Sequence, residues 1–434
     1  MAELLPLKAW RYHEKFLGQM DSLISPLFDV VTDRQRRKLY ANPINSIHLS
    51  LPKGPQAGLG ARKTLDEWKK KGVIVQDHVP GIYVYYQYFK STDRNKQVCR
   101  KGFIAHLKLE EWENQVVLRH ENTNPYGVAE REEILEKTQI QASPTFGLYE
   151  DPDFVLEPFF DEAMADPIYD LEDYQGVREV LAVIHDAKII KKVIRFMKDK
   201  QILIADGHHR YSAALDYSHK RGKEAPALGK INSYDYHEMY FCNSASEALK
   251  IYPNHRVFSG LGVDANEVLN KVSPFFDSKE VEDQEDLEDI INNKRHAFGL
   301  VFKNRAFILS LKPSWQEIGH LKNLSPSLKN LDVYLMHHFL IQEGLGIPLE
   351  LQSKSEVIKY ERHSSKCFLA LLRGELELAV VMPGISVGEV FEVCRSGEML
   401  PQKSTYFYPK VVSGLLFGSI DPDDFEFPYE VFLC

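Results

Sequence analysis

Cysteine is scarce in this chain: five residues in 434, at positions 99, 242, 367, 394 and 434. None forms a Cys-x-x-Cys pair, which removes zinc ribbons and thioredoxin-type exchange and gives no sign of an oxidising compartment. Long apolar runs are missing as well. No stretch reaches the roughly 18 uninterrupted apolar residues that suggest a membrane span. The opening MAELLPLKAWRYHEKF lacks the basic-then-apolar order of a secretory signal. A cytoplasmic protein without membrane contact is therefore expected. Positive charge is in deficit, with a net charge of −9 and a pI near 6.0. General attraction for nucleic acid is thus absent, although a local basic patch stays open. Internal repeats, heptads and low-complexity tracts are also lacking.

What is present fits a folded globular protein: 44% hydrophobic, 11% aromatic and 26% charged residues leave no room for bulk disorder. The length predicts two or three domains, and three segments are expected, at 1–115, 116–260 and 261–434. In the first, helices are predicted over 33–40 and 61–70. Strands follow at 82–89 and 102–109, joined as an antiparallel hairpin by a turn at 93–95. In the second, amphipathic helices are predicted over 129–141 and 186–198, then a strand at 202–205, a helix over 208–221 and a strand at 237–242. The third carries a helix at 263–272, an acidic run over 280–289, a hairpin of 298–302 and 306–311, helices at 331–342 and 387–395, and a strand at 376–381. The mixed order predicts an α/β to α+β fold with mixed sheets.

The densest chemistry lies in QILIADGHHRYSAAL, residues 201–215, where a buried strand runs through a sharp turn into a helix. The first N–H groups of a helix lack intrahelical partners and carry the positive end of its dipole, so such a turn receives anions. Gly207 permits the turn and the close approach of a ligand. Arg210 offers a fork of donors suited to phosphate, and His208 and His209 titrate near neutrality. Asp206 is a base, a magnesium ligand or only the helix cap. His120-Glu121 is a second candidate, as general base or metal holder, against a plain surface turn. Asp29, an acid after an apolar run, caps a helix or faces a pocket. His255-Arg256, behind a proline, suits an anion clamp or a bridge between loops. Lys403, Ser404, Thr405 and Lys410 lie in a dense aromatic block, PQKSTYFYPK. No glycine loop precedes them, so they are not a Walker A loop, yet they suit a substrate pocket as well as an anchored surface loop. The tyrosines at 83, 85, 86 and 88 read as a packed sheet, and His337-His338 as core or rim. No set of protein side chains at metal-ligand spacing stands out, while magnesium carried by a nucleotide stays open.

Five ordered blocks carry a resemblance: PLFDVVTDRQRRKLYANPINSIHLSLP, RHENTNPYGVAEREEILEKTQIQASPTFGLYEDP, IADGHHRYSAAL, LKIYPNHRVFSG and GEMLPQKSTYFYPKVVSGL. Together they resemble the bacterial "domain of unknown function 1015" family, with Leu27 and Phe28 replacing a proline and a tyrosine of its usual opening. More distantly, Gly207, His209, Arg210 and Ala214 form a pattern similar to a turn of the ParB, sulfiredoxin and free-serine-kinase superfamily. That resemblance implies a ParB/sulfiredoxin-like nucleotide-binding core plus a further α+β region completing the pocket. It implies phosphate contacts from His209 and Arg210, with His208 near the transferring group. Sulfiredoxins carry a cysteine where this chain has His208, which sets sulfinic-acid repair aside. The expectation is a nucleotide-dependent phosphotransferase using ATP or ADP with Mg2+ on a small hydroxylated metabolite, such as serine. A nucleotide-gated switch protein of ParB-like logic is the alternative. A nucleic-acid binder ranks last, and a homo-oligomer stays open.

Overall fold

The computed structural model describes residues 1–91, 96–224, 231–282, 286–317, 325–352, 355–401 and 403–425. The expected turn at 93–95, part of the acidic run, Gln402 and Cys434 lie outside the described residues. The chain divides into two compact units, one of residues 1–249 and 409–434, the other of residues 250–408. The first 115 residues do not close on themselves. Their strands pair with strands from 169–184 and 236–243, so the expected boundary near 115 falls inside a single sheet.

That sheet is built from β1 (Leu4–Leu5), β2 (Ile82–Lys90), β3 (Gln97–Lys108), β4 (Val117–Leu118), β5 (Thr145–Tyr149), β6 (Tyr169–Glu172), β7 (Arg178–Ile184), β8 (Ile202–Asp206) and β9 (Tyr236–Asn243). The order is β4-β8-β5-β9-β3-β2-β7-β6, with β1 added against β3. The predicted hairpin is present, with Tyr83 opposite Ile104 and Lys90 opposite Gln97. Pairing is mixed: β8 runs parallel to β4 and antiparallel to β5, whereas β5 runs parallel to β9. Alternation is weak in β2, β5 and β9, because both faces of these strands are covered. Tyr83, Tyr85 and Tyr86 are buried in it as sheet packing.

Five helices of this unit are α1 (Asp33–Tyr40), α2 (Ala57–Lys70), α3 (Pro125–Thr138), α4 (Ala187–Met197) and α5 (His208–Glu224). A capping box of Thr32 and Gln35 starts α1, and Asp186 caps α4 with two backbone bonds. Helix α4 buries Ile190, Val193 and Met197 against the sheet, which is the spacing read from the sequence. The segment from 409 returns to this unit: Ser413 pairs with Ser25, Phe417 with Trp10, and Gly418 with Gln141.

The second unit has a six-stranded sheet of β10 (His255–Phe258), β11 (Phe276–Val281), β12 (Ala297–Phe302), β13 (Ala306–Leu311), β14 (Ile358–Glu361) and β15 (Leu378–Val381), in the order β11-β13-β12-β15-β10-β14. All its pairings are antiparallel. The predicted helices stand at α6 (Ala265–Val272) and α7 (Val387–Arg395). The helix expected at 331–342 differs: a short turn at Asp332–Leu335 opens into a π-helix over Met336–Gly344. Both units mix helices with mixed or antiparallel sheets, so the fold is of the α/β to α+β kind. Among the described residues no helix is long and apolar enough to cross a membrane.

Candidate functional site

In the first unit the site begins with an irregularity at the end of β8. Ile204 faces Gly147, but Asp206 faces Phe146, so one extra residue is accommodated between them. Such a bulge turns the following side chain away from the ladder. Asp206 leaves the sheet as a carboxylate gripped from two sides: Lys410 Nζ donates to Oδ1 at 2.5 Å and Arg210 Nη2 to Oδ2 at 3.0 Å. Burial alone would raise this carboxyl, but Lys410 and Arg210 outweigh it and hold it at about 2. A carboxylate that acidic is a fixed charge at neutral pH and a poor general base.

Gly207 follows with φ +98°, and a Cβ there would stand 2.7 Å from Arg210 Nη2 and 3.0 Å from Thr145 Oγ1. Both the backbone angle and the space exclude a side chain. Gly207→Ala is therefore expected to cost about 1–3 kcal/mol from backbone strain alone, read as a lower urea midpoint. An unchanged midpoint would show that the turn relaxes freely.

Helix α5 starts at once. His208 is buried and its ring meets that of His120 edge to face at 4.6 Å. Burial first, and the neighbouring His120 second, push His208 well below the usual histidine range. Burial lowers His120 as well, against the opposing pull of Glu121. Both rings are thus neutral at pH 7, and Nε2 of His208 has no hydrogen-bond partner among the described residues. His209 faces another helix end. The backbone N–H of Asn124 donates to its Nε2 at 3.2 Å, and Asn124 is itself the N-cap of α3, accepting from the Gly127 N–H at 2.7 Å. A Cβ on Gly127 would lie 2.9 Å from His209 Cδ2. Two helix N-termini therefore meet across one imidazole, and their dipoles add at that point.

Arg210 is placed differently from the sequence expectation of a free fork. Its Nη1 donates to the Ser143 and Pro144 carbonyls at 3.0 and 2.7 Å, and Nη2 to Asp206. Both ends of the guanidinium are committed to the turn's own scaffold. Asp29 is exposed and lies near Arg131, whose guanidinium is lowered by burial against the opposing pull of Glu130 and, more weakly, Asp29.

The unit of residues 250–408 holds the remaining candidates. Arg256 is buried, donates to the Asn254 carbonyl and, from Nε and Nη2, meets His337 Nε2 at 3.2 and 3.0 Å. Burial lowers it to about 10. His255 Nδ1 accepts from the Met382 N–H at 3.1 Å, and its Nε2 stands 3.1 Å from Glu288. Lys403 is exposed in a left-handed turn, at φ 58°, and its carbonyl accepts from Asn254 at 2.8 Å. Ser404 donates to the Pro401 carbonyl, and Thr405 is half-buried. Arg256, Asn254 and Ser404 line one cavity of about 20 Å³ in this unit. His337 and His338 are core residues, as expected.

Within the first unit, the structure brings Asp206, Gly207, His208, His209, Arg210, His120, Glu121 and Lys410 together. It also adds residues the sequence reading passed over. Thr145 Oγ1 and His237 Nε2 lie 2.6 Å apart in the interior. Arg100 is buried, donating to Gln87 and the Pro409 carbonyl with its guanidinium over the Phe146 ring at 4.5 Å. The one available signal was polarity out of place: His237 and Glu238 lie side by side in a mainly apolar strand.

A family model described as "Protein of unknown function (DUF1015)" matches residues 4–334. No curated protein matches the sequence. Among solved structures, the chain is similar to a conserved hypothetical protein from Pyrococcus furiosus at 15% identity, covering 72% of this chain and 94% of that one, with a TM-score of 0.34. A free serine kinase in complex with AMP is similar at 16% identity, with 69% and 85% covered and a TM-score of 0.34. SbnI from Staphylococcus aureus, truncated at its C-terminus, is similar at 13% identity, with 72% and 86% covered and a TM-score of 0.35.

Proposed function

The chain belongs to the family described as "Protein of unknown function (DUF1015)", and from that footing we propose that it is a nucleotide-dependent phosphotransferase acting on a small hydroxylated metabolite. The observation that carries the reading is the meeting of two helix N-termini at His209, beside a glycine that no side chain can replace. Phosphoryl transfer asks little covalent chemistry of a protein and much positioning of donors around anionic oxygens. The N–H groups that open α5, and those at the start of α3, supply such donors. Lys410 keeps a positive charge beside them, fixed by Asp206.

The base for the acceptor hydroxyl is assigned to Glu121 or to neutral His208, whose Nε2 is unpartnered among the described residues. Asp206, held at about 2, keeps Lys410 and Arg210 in place instead. Magnesium, when present, supplies charge neutralisation on the β- and γ-phosphate oxygens. Both Asp206 oxygens are taken by cationic side chains, so the nucleotide rather than Asp206 would hold it. Adenine nucleotides, ATP or ADP, are the first donors to test. Asp29 remains a proposed substrate contact in the first unit. Within the unit of residues 250–408, His255 and Arg256 remain proposed phosphate contacts, and Lys403, Ser404 and Thr405 proposed substrate contacts.

The test is transfer of label from γ-labelled ATP to a panel of hydroxylated amino acids and sugars. His209→Ala is expected to lower kcat/KM at least tenfold, about 1.4 kcal/mol in the barrier, with little change in melting temperature. Turnover indifferent to His209→Ala and Arg210→Ala would remove the assignment. Nucleotide stabilisation without transfer to any acceptor would favour a nucleotide-gated switch instead.

A further inference from the structure

A cavity of about 60 Å³ lies in the first unit behind Arg210, between α3, the start of α5 and the 141–143 segment. Three nitrogens on its lining residues have no hydrogen-bond partner among the described residues: Nε of Arg131, Nε of Arg210 and Nδ1 of His237. A buried N–H donor without an acceptor costs about 1–3 kcal/mol, more when charged, so the two arginine Nε–H groups, joined by His237 Nδ1–H in the tautomer whose Nε2 accepts from Thr145, call for an occupant with acceptor oxygens.

The remaining atoms of these groups are held firmly. Arg131 Nη1 donates to the Ser50 carbonyl at 2.7 Å and Nη2 to Glu130 at 2.9 Å, and its guanidinium lies over the Phe28 ring at 4.2 Å. Arg210 is tied by Ser143, Pro144 and Asp206, and His237 by Thr145. The three nitrogens are thus pre-set rather than free to turn elsewhere. Arg210 is close enough to disfavour the charge on Arg131, and although Glu130 and Asp206 each pair with one of the two arginines, no carboxylate lines the cavity itself. The rest of the wall is mainly apolar, supplied by residues such as Leu49, Ile134, Ile140 and Ala213.

We propose that this cavity binds a short-chain monocarboxylate, its oxygens on Arg131, Arg210 and His237 and its hydrocarbon end against the apolar wall. Room decides the size: an enclosed water takes about 10–15 Å³ on the same measure, so the space suits a ligand of about four to six non-hydrogen atoms. The two guanidiniums disfavour a ligand that brings its own ammonium group, and the apolar wall disfavours inorganic phosphate, which would need acceptor-satisfying donors on every side. This site stands independently of the phosphotransfer reading.

The experiment is a melting series on the full chain with sodium acetate, propionate and butyrate, against sodium chloride and sodium phosphate at matched ionic strength. Propionate or butyrate is expected to raise the melting temperature saturably, with chloride and phosphate giving no saturable shift. Arg131→Gln is expected to weaken that binding at least tenfold. If Arg131→Gln fails to fold, Ala213→Leu tests the same site by filling it while keeping every donor, and is expected to abolish the carboxylate shift. The proposal is overturned by equal shifts from chloride, by saturable binding of phosphate alone, by no saturable carboxylate effect, or by a carboxylate effect that survives the folded variant.

Discussion

Asp206→Asn lowers the unfolding free energy by about 3–5 kcal/mol, the range for removing one partner of a buried charge cluster. The aspartate joins the two cations, accepting from Lys410 Nζ and from Arg210 Nη2. Its side chain is 14% exposed, and those of Lys410 and Arg210 are 9% and 11% exposed, so solvent screens little of the loss. Asparagine keeps the shape and one acceptor oxygen but removes the negative charge that two buried cations share. Urea unfolding reads the effect. Pairing the change with Lys410→Met should recover part of it, because the second variant removes one stranded cation. A loss under about 1 kcal/mol, or no recovery in the double variant, would mean that the cluster is solvated in solution.

Stability of the first unit is expected to peak near pH 6.5 and to fall on both sides. On the alkaline side the cause is two wholly buried glutamates. Burial raises Glu179 and Glu238 to about 8, although Glu179 accepts from the Tyr85 hydroxyl at 2.6 Å and Glu238 from the Gly418 N–H at 2.7 Å. Unfolded glutamate titrates near 4.3, so between that value and about 8 the folded state holds protons that the unfolded state has released. Their contribution is complete at low pH and is lost as pH rises through 8, with a slope of roughly 2.7 kcal/mol per pH unit for the two groups. On the acid side the cause is buried neutral histidine. Burial lowers His106 and His237 to about 3, and His120 and His208 are lowered with them. Below about 6.5 the unfolded chain gains protons there that the folded state refuses, and four histidines outweigh two glutamates. The check is denaturant unfolding at half-unit pH steps. Glu179→Gln with Glu238→Gln should flatten the alkaline limb and steepen the acid one, where the two glutamates oppose the histidines, and an unchanged alkaline limb would show that these carboxyls are charged in the folded protein.

The sequence made the local elements legible wherever periodicity was strong. The β2–β3 hairpin, α4 with its alternating isoleucines, and the β8-to-α5 turn stand where the pattern put them. Helix α3 starts at Pro125, four residues before the predicted 129, because no apolar period marks its first turn. Asparagine followed by proline is the N-cap and first position of this helix. The π-winding at Met336–Gly344 was hidden because an apolar run has no period that separates it from an α-helix. At the site, the sequence showed which residues gather on one turn, but not which of their atoms are already spoken for. Arg210 looks like an open fork in one dimension, and only folding brings the Ser143 and Pro144 carbonyls to it. The cavity with Arg131 and His237 depends on four separate stretches of the chain, at 49–50, 131–143, 210–213 and 237, and no local spacing announces it.

The unit that holds the turn is interrupted by the whole of residues 250–408 before its last strand-forming segment arrives. On a ribosome this ordering sets a clock. Lys410 lies 204 positions after Asp206, and at about 5–20 residues per second its emergence lags by about 10–40 s. For that interval a nascent chain has the bulged end of β8 and the start of α5 with Arg210 alone against Asp206. The turn is therefore completed only after the whole of residues 250–408 has been made.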